Sequence, residues 1–116
     1  MHTVDDCVFC KIVAGEIPSM RVYEDDYVIA FDDINKQAPV HTLVVPKEHV
    51  MNLTDPDLTP ELLGHIMSAI NKVAEIKGVT ESGYRVIQNN GPDASQTVLH
   101  LHFHILGGTA FAEGMV

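Results

Sequence analysis

The chain has 116 residues, 46% hydrophobic and 20% charged, the proportions of a folded domain rather than of a disordered or collagen-like chain. Sixteen Asp and Glu against seven Lys and Arg give a formal charge of −9, a sign that repels nucleic-acid phosphates and excludes a general nucleic-acid platform. The length predicts a single domain over 1–116, with short tails at 1–6 and 109–116.

The acidic start Met1–Asp6 does not read as a signal peptide, and no apolar run reaches membrane-spanning length. Cys7 and Cys10 stand too close together to staple distant parts of a fold, so a soluble, cytoplasmic protein is expected. Cys7–Ala14 reads as a short helix, with Asp5 or Asp6 as N-cap and Gly15 past its end. Arg21–Glu24 and Tyr27–Phe31 read as a hairpin turning at Asp25-Asp26. Asp32–Pro39 is a polar loop, and His41–Val45 is a β-branched strand stopped by Pro46. Lys47–Leu53 is expected to form a short helical turn.

Thr59-Pro60-Glu61 is a helix start: a capping hydroxyl, a proline at the first position and an acid in the first turn. Leu62, Leu63, Ile66, Ile70, Val73 and Ala74 recur at helical spacing until Gly78, which predicts the main helix. Tyr84–Gln88 is a fourth strand, Asn89–Thr97 a loop and Val98–Leu106 a fifth strand ending at Gly107-Gly108. The sum is an α+β fold: a five-stranded antiparallel sheet with helices on one face.

Seven histidines occur, and three fall in His100-Leu101-His102-Phe103-His104-Ile105-Leu106. Strict alternation puts Leu101, Phe103 and Ile105 on one face of a strand and the three His on the other, with same-face neighbours about 6–7 Å apart. Two imidazoles at that spacing can address one phosphorus centre. One acts as nucleophile, the other gives a proton or holds a phosphoryl oxygen. The preceding loop, Asn89-Asn90-Gly91 through Ser95-Gln96-Thr97, offers amide and hydroxyl donors for phosphate.

Cys7 and Cys10 admit three readings: a redox pair, two buried structural thiols, or half of a zinc site completed by His49 and His100. His2 reads as a solvated terminal residue and His65 as a helix-surface residue.

Residues 100–106 match the motif His-φ-His-φ-His-φ-φ at every position, and here the sequence resembles the histidine triad (HIT) family. Phe9-Cys10-Lys11-Ile12, Glu16-Ile17-Pro18, Tyr23-Glu24-Asp25-Asp26, Ala30-Phe31-Asp32-Asp33-Ile34, Gln37-Ala38-Pro39, His41, Val45-Pro46-Lys47 and the 89–108 segment resemble its nucleotide-binding branch. The resemblance implies a purine nucleotide hydrolase or transferase acting on nucleoside phosphoramidates or acyl-adenylates through a nucleotidyl-histidine intermediate. A dinucleoside polyphosphate hydrolase and a non-catalytic nucleotide-binding module are the alternatives.

By position, the resemblance makes His102 the nucleophile, His104 the contact to phosphate or leaving group and His41 the support of the triad. It assigns Asp33 to the ribose. Phe9, Ile12, Ile17, Phe31, Ile34 and Leu43 would line the base pocket, and Asn89, Thr97 and the Val98 backbone would hold the phosphate. It favours a structural zinc on Cys7, Cys10, His49 and His100, and it implies a homodimer built through the main helix and an edge strand. The tail Thr109–Val116 departs from the family, whose members often end in a Trp/Pro-containing segment; this chain has no Trp.

Overall fold

The computed structural model describes residues 2–114. The elements are α1 (Val8–Val13), β1 (Met20–Glu24), β2 (Val28–Asp32), β3 (Val40–Pro46), α2 (Pro60–Ile76), β4 (Tyr84–Ile87), a single 3₁₀ turn (Pro92–Ala94) and β5 (Phe103–Gly107). The strands form one antiparallel sheet in the order β1-β2-β3-β5-β4. No described helix is long and apolar enough to cross a membrane.

The expected α+β class and five strands are present, but the two helices lie on opposite faces. Val28 and Ala30 of β2 and Val44 of β3 pack with Ile66, Ala69, Ile70 and Val73 of α2. Their neighbours Ile29, Phe31, Leu43 and Val45 point the other way and pack with Phe9 and Ile12 of α1. Apolar cover on both faces explains why β2 and β3 read as continuous hydrophobic runs rather than alternating ones.

Helix α2 begins as expected: Thr59 Oγ1 accepts from the Leu62 N–H at 3.1 Å, with Pro60 in the first turn. Leu63 falls off the buried stripe and is exposed. Helix α1 is capped differently from expectation. Cys7, not Asp5 or Asp6, is its N-cap, and the Cys7 sulfur accepts from the Cys10 N–H at 3.4 Å.

Two further expectations are corrected. Lys47–Leu53 forms no helix; it is bends and irregular chain, with Leu53 in a turn closed by Asp55 N–H on Asn52 O at 3.2 Å. The fifth strand starts at Phe103 rather than Val98, because its ladder with β3 ends at the pair Val44–Phe103. Beyond that pair β3 reaches Pro46, which has no N–H to offer. The Leu101 N–H instead donates to Val50 O at 2.6 Å, and the Pro46 carbonyl is taken by the His100 ring. At the other end of β5 the double glycine has a steric reason: a Cβ on Gly107 would lie 3.0 Å from Val79 Cγ1.

The tail 109–114 folds back on β4. Arg85 places its guanidinium 4.8 Å from the centre of the Phe111 ring and donates to the Ala112 carbonyl. Met1, Met115 and Val116 lie outside the described residues.

Candidate functional site

Although only His104 lies in a strand, the alternation of 100–106 still sorts the side chains. Leu101 and Ile105 are fully buried in the α2-side core, and Phe103 packs against it. The three imidazoles lie on the α1 side, where Phe9 sets its ring edge-on to His100 (5.8 Å between centroids) and His102 (5.1 Å). His49 stands 4.9 Å from His100, His104 stands 5.1 Å from His102, and His41 follows His104 at 5.2 Å. The result is a row of five imidazoles: 49, 100, 102, 104, 41.

Hydrogen bonds to backbone fix the proton position in three of the five rings, His100, His102 and His41. A carbonyl only accepts, so His102 Nδ1 carries the proton it gives to His100 O at 2.7 Å. That leaves His102 Nε2 as the ring nitrogen without a backbone partner. Nε2 has no partner among the described residues, and no unpartnered side-chain nitrogen or oxygen is sealed from solvent. The ring is largely buried, at 8% exposure, yet Nε2 is not sealed from solvent.

The next two rings form a relay. A backbone N–H only donates, so His41 Nδ1, which accepts from Gln37 N–H at 3.0 Å, is unprotonated. Burial lowers the His41 pKa and keeps the ring neutral, so its one proton sits on Nε2. That proton faces His104 Nδ1 at 2.9 Å, with Asp33 Oδ2 at 3.5 Å. Burial, with His102 and His41 adding to it, pushes the His104 pKa down to about 4, so this ring is neutral too and presents Nε2–H as a donor. Asp33, His41 and His104 also have the composition of a metal-binding trio. A metal on His41 Nε2 would move the proton to Nδ1, against the Gln37 N–H, so the relay is the better account.

The adjacent carboxylates divide their work. Asp32 is held by Lys77 Nζ at 2.8 Å and Thr42 Oγ1 at 2.9 Å. Asp33 lies at the rim of a cavity of about 250 Å³ whose walls include Phe9, Ile12, Ile17, Phe31, Ile34 and Leu43. All six side chains expected to line a base pocket therefore do line one cavity. The lining is mostly apolar, with Asp32 and Asp33 the charged residues among it. Ile34, 94% exposed, stands at the mouth.

Of the three expected phosphate residues, Thr97 is exposed and Val98 is half-buried against the α1-side core. Asn89 is half-buried, two residues beyond the Ile87–His104 pair, on the His102 side of that pair. Gln96 is not the free donor that the loop composition suggests. It is buried, its Oε1 accepting from Gly91 N–H at 2.9 Å and its Nε2 donating to Met51 O at 2.8 Å and Val98 O at 3.2 Å. It bolts the loop in place. Neither this role nor that of the Gln37 N–H has a signal in sequence.

The first two rings in the row face sulfur. His100 gives its Nε2 proton to Pro46 O at 2.8 Å, which turns an unprotonated Nδ1 toward Cys7 Sγ (3.3 Å) and Cys10 Sγ (3.6 Å). His49 Nδ1 lies 3.3 Å from Cys10 Sγ, and all four ligand atoms lie within 4.8 Å of one another. A tetrahedron with metal–ligand bonds of about 2.0–2.3 Å has edges of about 3.3–3.8 Å, so the four residues can hold a metal ion. Val4 N–H and Cys10 N–H each point at a sulfur at 3.4 Å, as donors to thiolates do. Burial pushes the Cys10 thiol up to about 11, so a thiolate there needs a cation beside it. His2 is no ligand of either cluster, but its ring packs edge-on to His49 at 5.7 Å and its carbonyl accepts the His49 N–H at 2.8 Å; His65 stacks on Tyr27 at 3.8 Å.

Residues 14–111 match the family model described as HIT domain. An uncharacterised HIT-like protein of Synechococcus elongatus is 47% identical over 109 residues, 93% of this chain and 95% of that one. A histidine triad protein from Clostridium difficile superposes with a TM-score of 0.92 at 51% identity, covering 97% of this chain and 99% of its own. A HIT family hydrolase from Clostridium thermocellum superposes with a TM-score of 0.93 at 49% identity, over 98% and 100% of the two chains.

Proposed function

The chain belongs to the HIT-domain family, and we propose that it is a nucleotide hydrolase that cleaves purine nucleoside phosphoramidates or acyl-adenylates through a nucleotidyl-His102 intermediate. The observation that carries the reading is the His102 ring: Nδ1 committed to the His100 carbonyl, Nε2 open. The Clostridium thermocellum relative's description as a hydrolase supports the reaction class.

The base enters the cavity lined by Phe9, Phe31 and Leu43, and the ribose hydroxyls meet the Asp33 carboxylate. The phosphate lies against His102, with Asn89, the Thr97 hydroxyl and the Val98 N–H as donors. His102 Nε2 attacks phosphorus, and the N–P bond forms as the bond to the leaving atom breaks and its electron pair departs with that atom. His104 Nε2–H, oriented through His41, gives a hydrogen bond to a phosphoryl oxygen or to the departing atom, and a departing amine takes its proton from solvent. Water then attacks phosphorus and loses a proton to solvent as the N–P bond breaks, releasing the nucleoside monophosphate and returning the lone pair to Nε2.

Cys7, Cys10, His49 and His100 would hold zinc in this reading, and four protein ligands suit an ion that would supply structure rather than a reactive water. The four residues tie the α1 end to the segment that carries His102. The protein works in the cytoplasm as a homodimer; exposed Leu63, Met67 and Ile76 on α2 and Val86 on the edge strand β4 support a covered face.

The test sets adenosine phosphoramidate and a diadenosine polyphosphate side by side, with the wild type and His102→Asn. The reading expects AMP release from the phosphoramidate by the wild type and its loss in the variant. Equal rates in both proteins overturn the catalytic assignment. Faster cleavage of the polyphosphate shifts it to the dinucleoside polyphosphate branch.

A further inference from the structure

We infer that Cys7 and Cys10 are an oxidation site as well as two metal ligands: a hydroperoxide converts the pair to a disulfide, and the metal leaves. This rests on the zinc reading above and adds to it the class of reagent that undoes the site. It joins two of the readings that the Cys-x-x-Cys spacing allows, a redox pair and half of a zinc site.

Access sets the order of attack. Cys10 is 4% exposed, and its sulfur faces the Val4 N–H, His49 and His100. Cys7 is half-buried and lines a hollow of about 510 Å³ between the N-terminal segment and the loop before His100. Val4, Val8, Met51 and Leu99 share that wall, Asp6 is its one carboxylate, and no Lys or Arg lines it. An apolar, acidic wall admits a small neutral oxidant and repels an anionic one. Cys7 meets the peroxide there, and Cys10 stands behind it as the resolving thiol.

The two sulfurs lie within 4.8 Å of each other. Reaching a disulfide bond of about 2.0 Å takes a shift of at most about 3 Å. Cys7 is the N-cap of α1, with extended backbone, so its side chain swings outside the helical turns. In the first step Cys7 Sγ attacks a peroxide oxygen, the S–O bond forms, the O–O bond breaks and hydroxide leaves. In the second, Cys10 Sγ attacks the Cys7 sulfur, the S–S bond forms, the S–O bond breaks and a second hydroxide leaves. Two thiolates lose two electrons, hydrogen peroxide gains them, and both hydroxides take protons from solvent. A disulfide carries no charge, so the ligand set falls to two neutral imidazoles, His49 and His100, which do not make a closed site. His100 keeps only its Nε2 bond to the Pro46 carbonyl, and the Val4 N–H loses a thiolate acceptor.

The experiment treats zinc-loaded wild type and zinc-loaded Cys7→Asp with hydrogen peroxide. Zinc release is read with a chelating dye, the bond by peptide mass spectrometry, and stability by the thermal midpoint. Aspartate is both a zinc ligand and a good N-cap, so the variant keeps the ligand count and the cap while removing one sulfur. Wild type is expected to release its zinc in step with a Cys7–Cys10 disulfide, to melt at a lower temperature, and to take zinc up again after reduction by a dithiol. Cys7→Asp should keep its zinc at a dose that empties wild type; release as fast as from wild type overturns the role of Cys7. If the variant takes up no zinc, the wild-type readouts decide alone. A wild type that keeps its zinc under peroxide, with both thiols still open to alkylation after the metal is chelated, overturns the oxidation site and leaves the zinc reading standing. Zinc loss with sulfinic acids and no disulfide overturns it too. A wild type that takes up no zinc overturns both.

Discussion

His100 and His102 are one residue apart in sequence, similarly buried at 0% and 8% exposure, and touched by the same Phe9 ring, yet their surroundings ask opposite things of them. Around His100 every ring nitrogen is committed: Nε2 to the Pro46 carbonyl, Nδ1 to the sulfur pair. Around His102 one nitrogen is committed and one is open. What differs is not residue type or burial but the partner offered to the second nitrogen. The backbone makes that choice, since the His100 carbonyl is the group that takes His102 Nδ1 and leaves Nε2 facing outward. In the proposed reading a scaffold and a reactive centre are made from alternate residues of one segment.

The largest expected effect breaks the comparison on the reactive side. His102→Asn should lower kcat on adenosine phosphoramidate by about 10³-fold or more while its thermal midpoint stays near the wild-type value. Cys10→Ser breaks the other side. It should remove bound metal and cost about 3 kcal/mol or more of unfolding free energy, measured by denaturant titration alongside metal analysis. A Cys10→Ser protein that keeps its stability and never held metal would reduce the sulfur side to two packed thiols.

Phe9→Leu sharpens the comparison, because that ring touches both histidines and lines the cavity proposed for the base. Losing its edge contacts should weaken AMP binding by about 1 kcal/mol, read by calorimetry, with metal content unchanged.

The smallest effect is a pH slope. His104 has a folded pKa of about 4 against an ordinary 6.5. Between these values the unfolded chain binds the proton and the folded one does not, so stability falls as pH drops through that window. The slope from this group is at most about 1.4 kcal/mol per pH unit. Denaturant titrations at several pH values should show a shallower slope for His104→Gln than for the wild type; an unchanged slope would mean that burial does not hold this ring neutral.

Much of this was legible in the sequence where local physics decides. The Thr59-Pro60-Glu61 start and the spacing of Ile66, Ile70 and Val73 fixed α2, and the alternation of 100–106 sorted core from site even where no strand formed. What was not legible depends on partners distant in the chain. The late start of β5 follows from Pro46 and Val50, about fifty residues earlier. The thiol cap on α1 displaced two better-ranked carboxylates, which follows from the Cys7 sulfur already facing the Cys10 N–H in the cluster. The Gln96 bolt and the Gln37 N–H that sets the His41 tautomer are tertiary contacts with no periodicity to reveal them. The base-cavity residues came from family resemblance alone; their convergence on one hollow is a property of the folded chain.

The most direct test of the account is to mix the protein with adenosine phosphoramidate, quench within a turnover under alkaline conditions that preserve phosphorus–nitrogen bonds, and map the nucleotidyl group by peptide mass spectrometry. The account predicts one adenylyl group, on His102. An adduct on His104 or His41, or rapid AMP release with no protein adduct at any quench time, would contradict it.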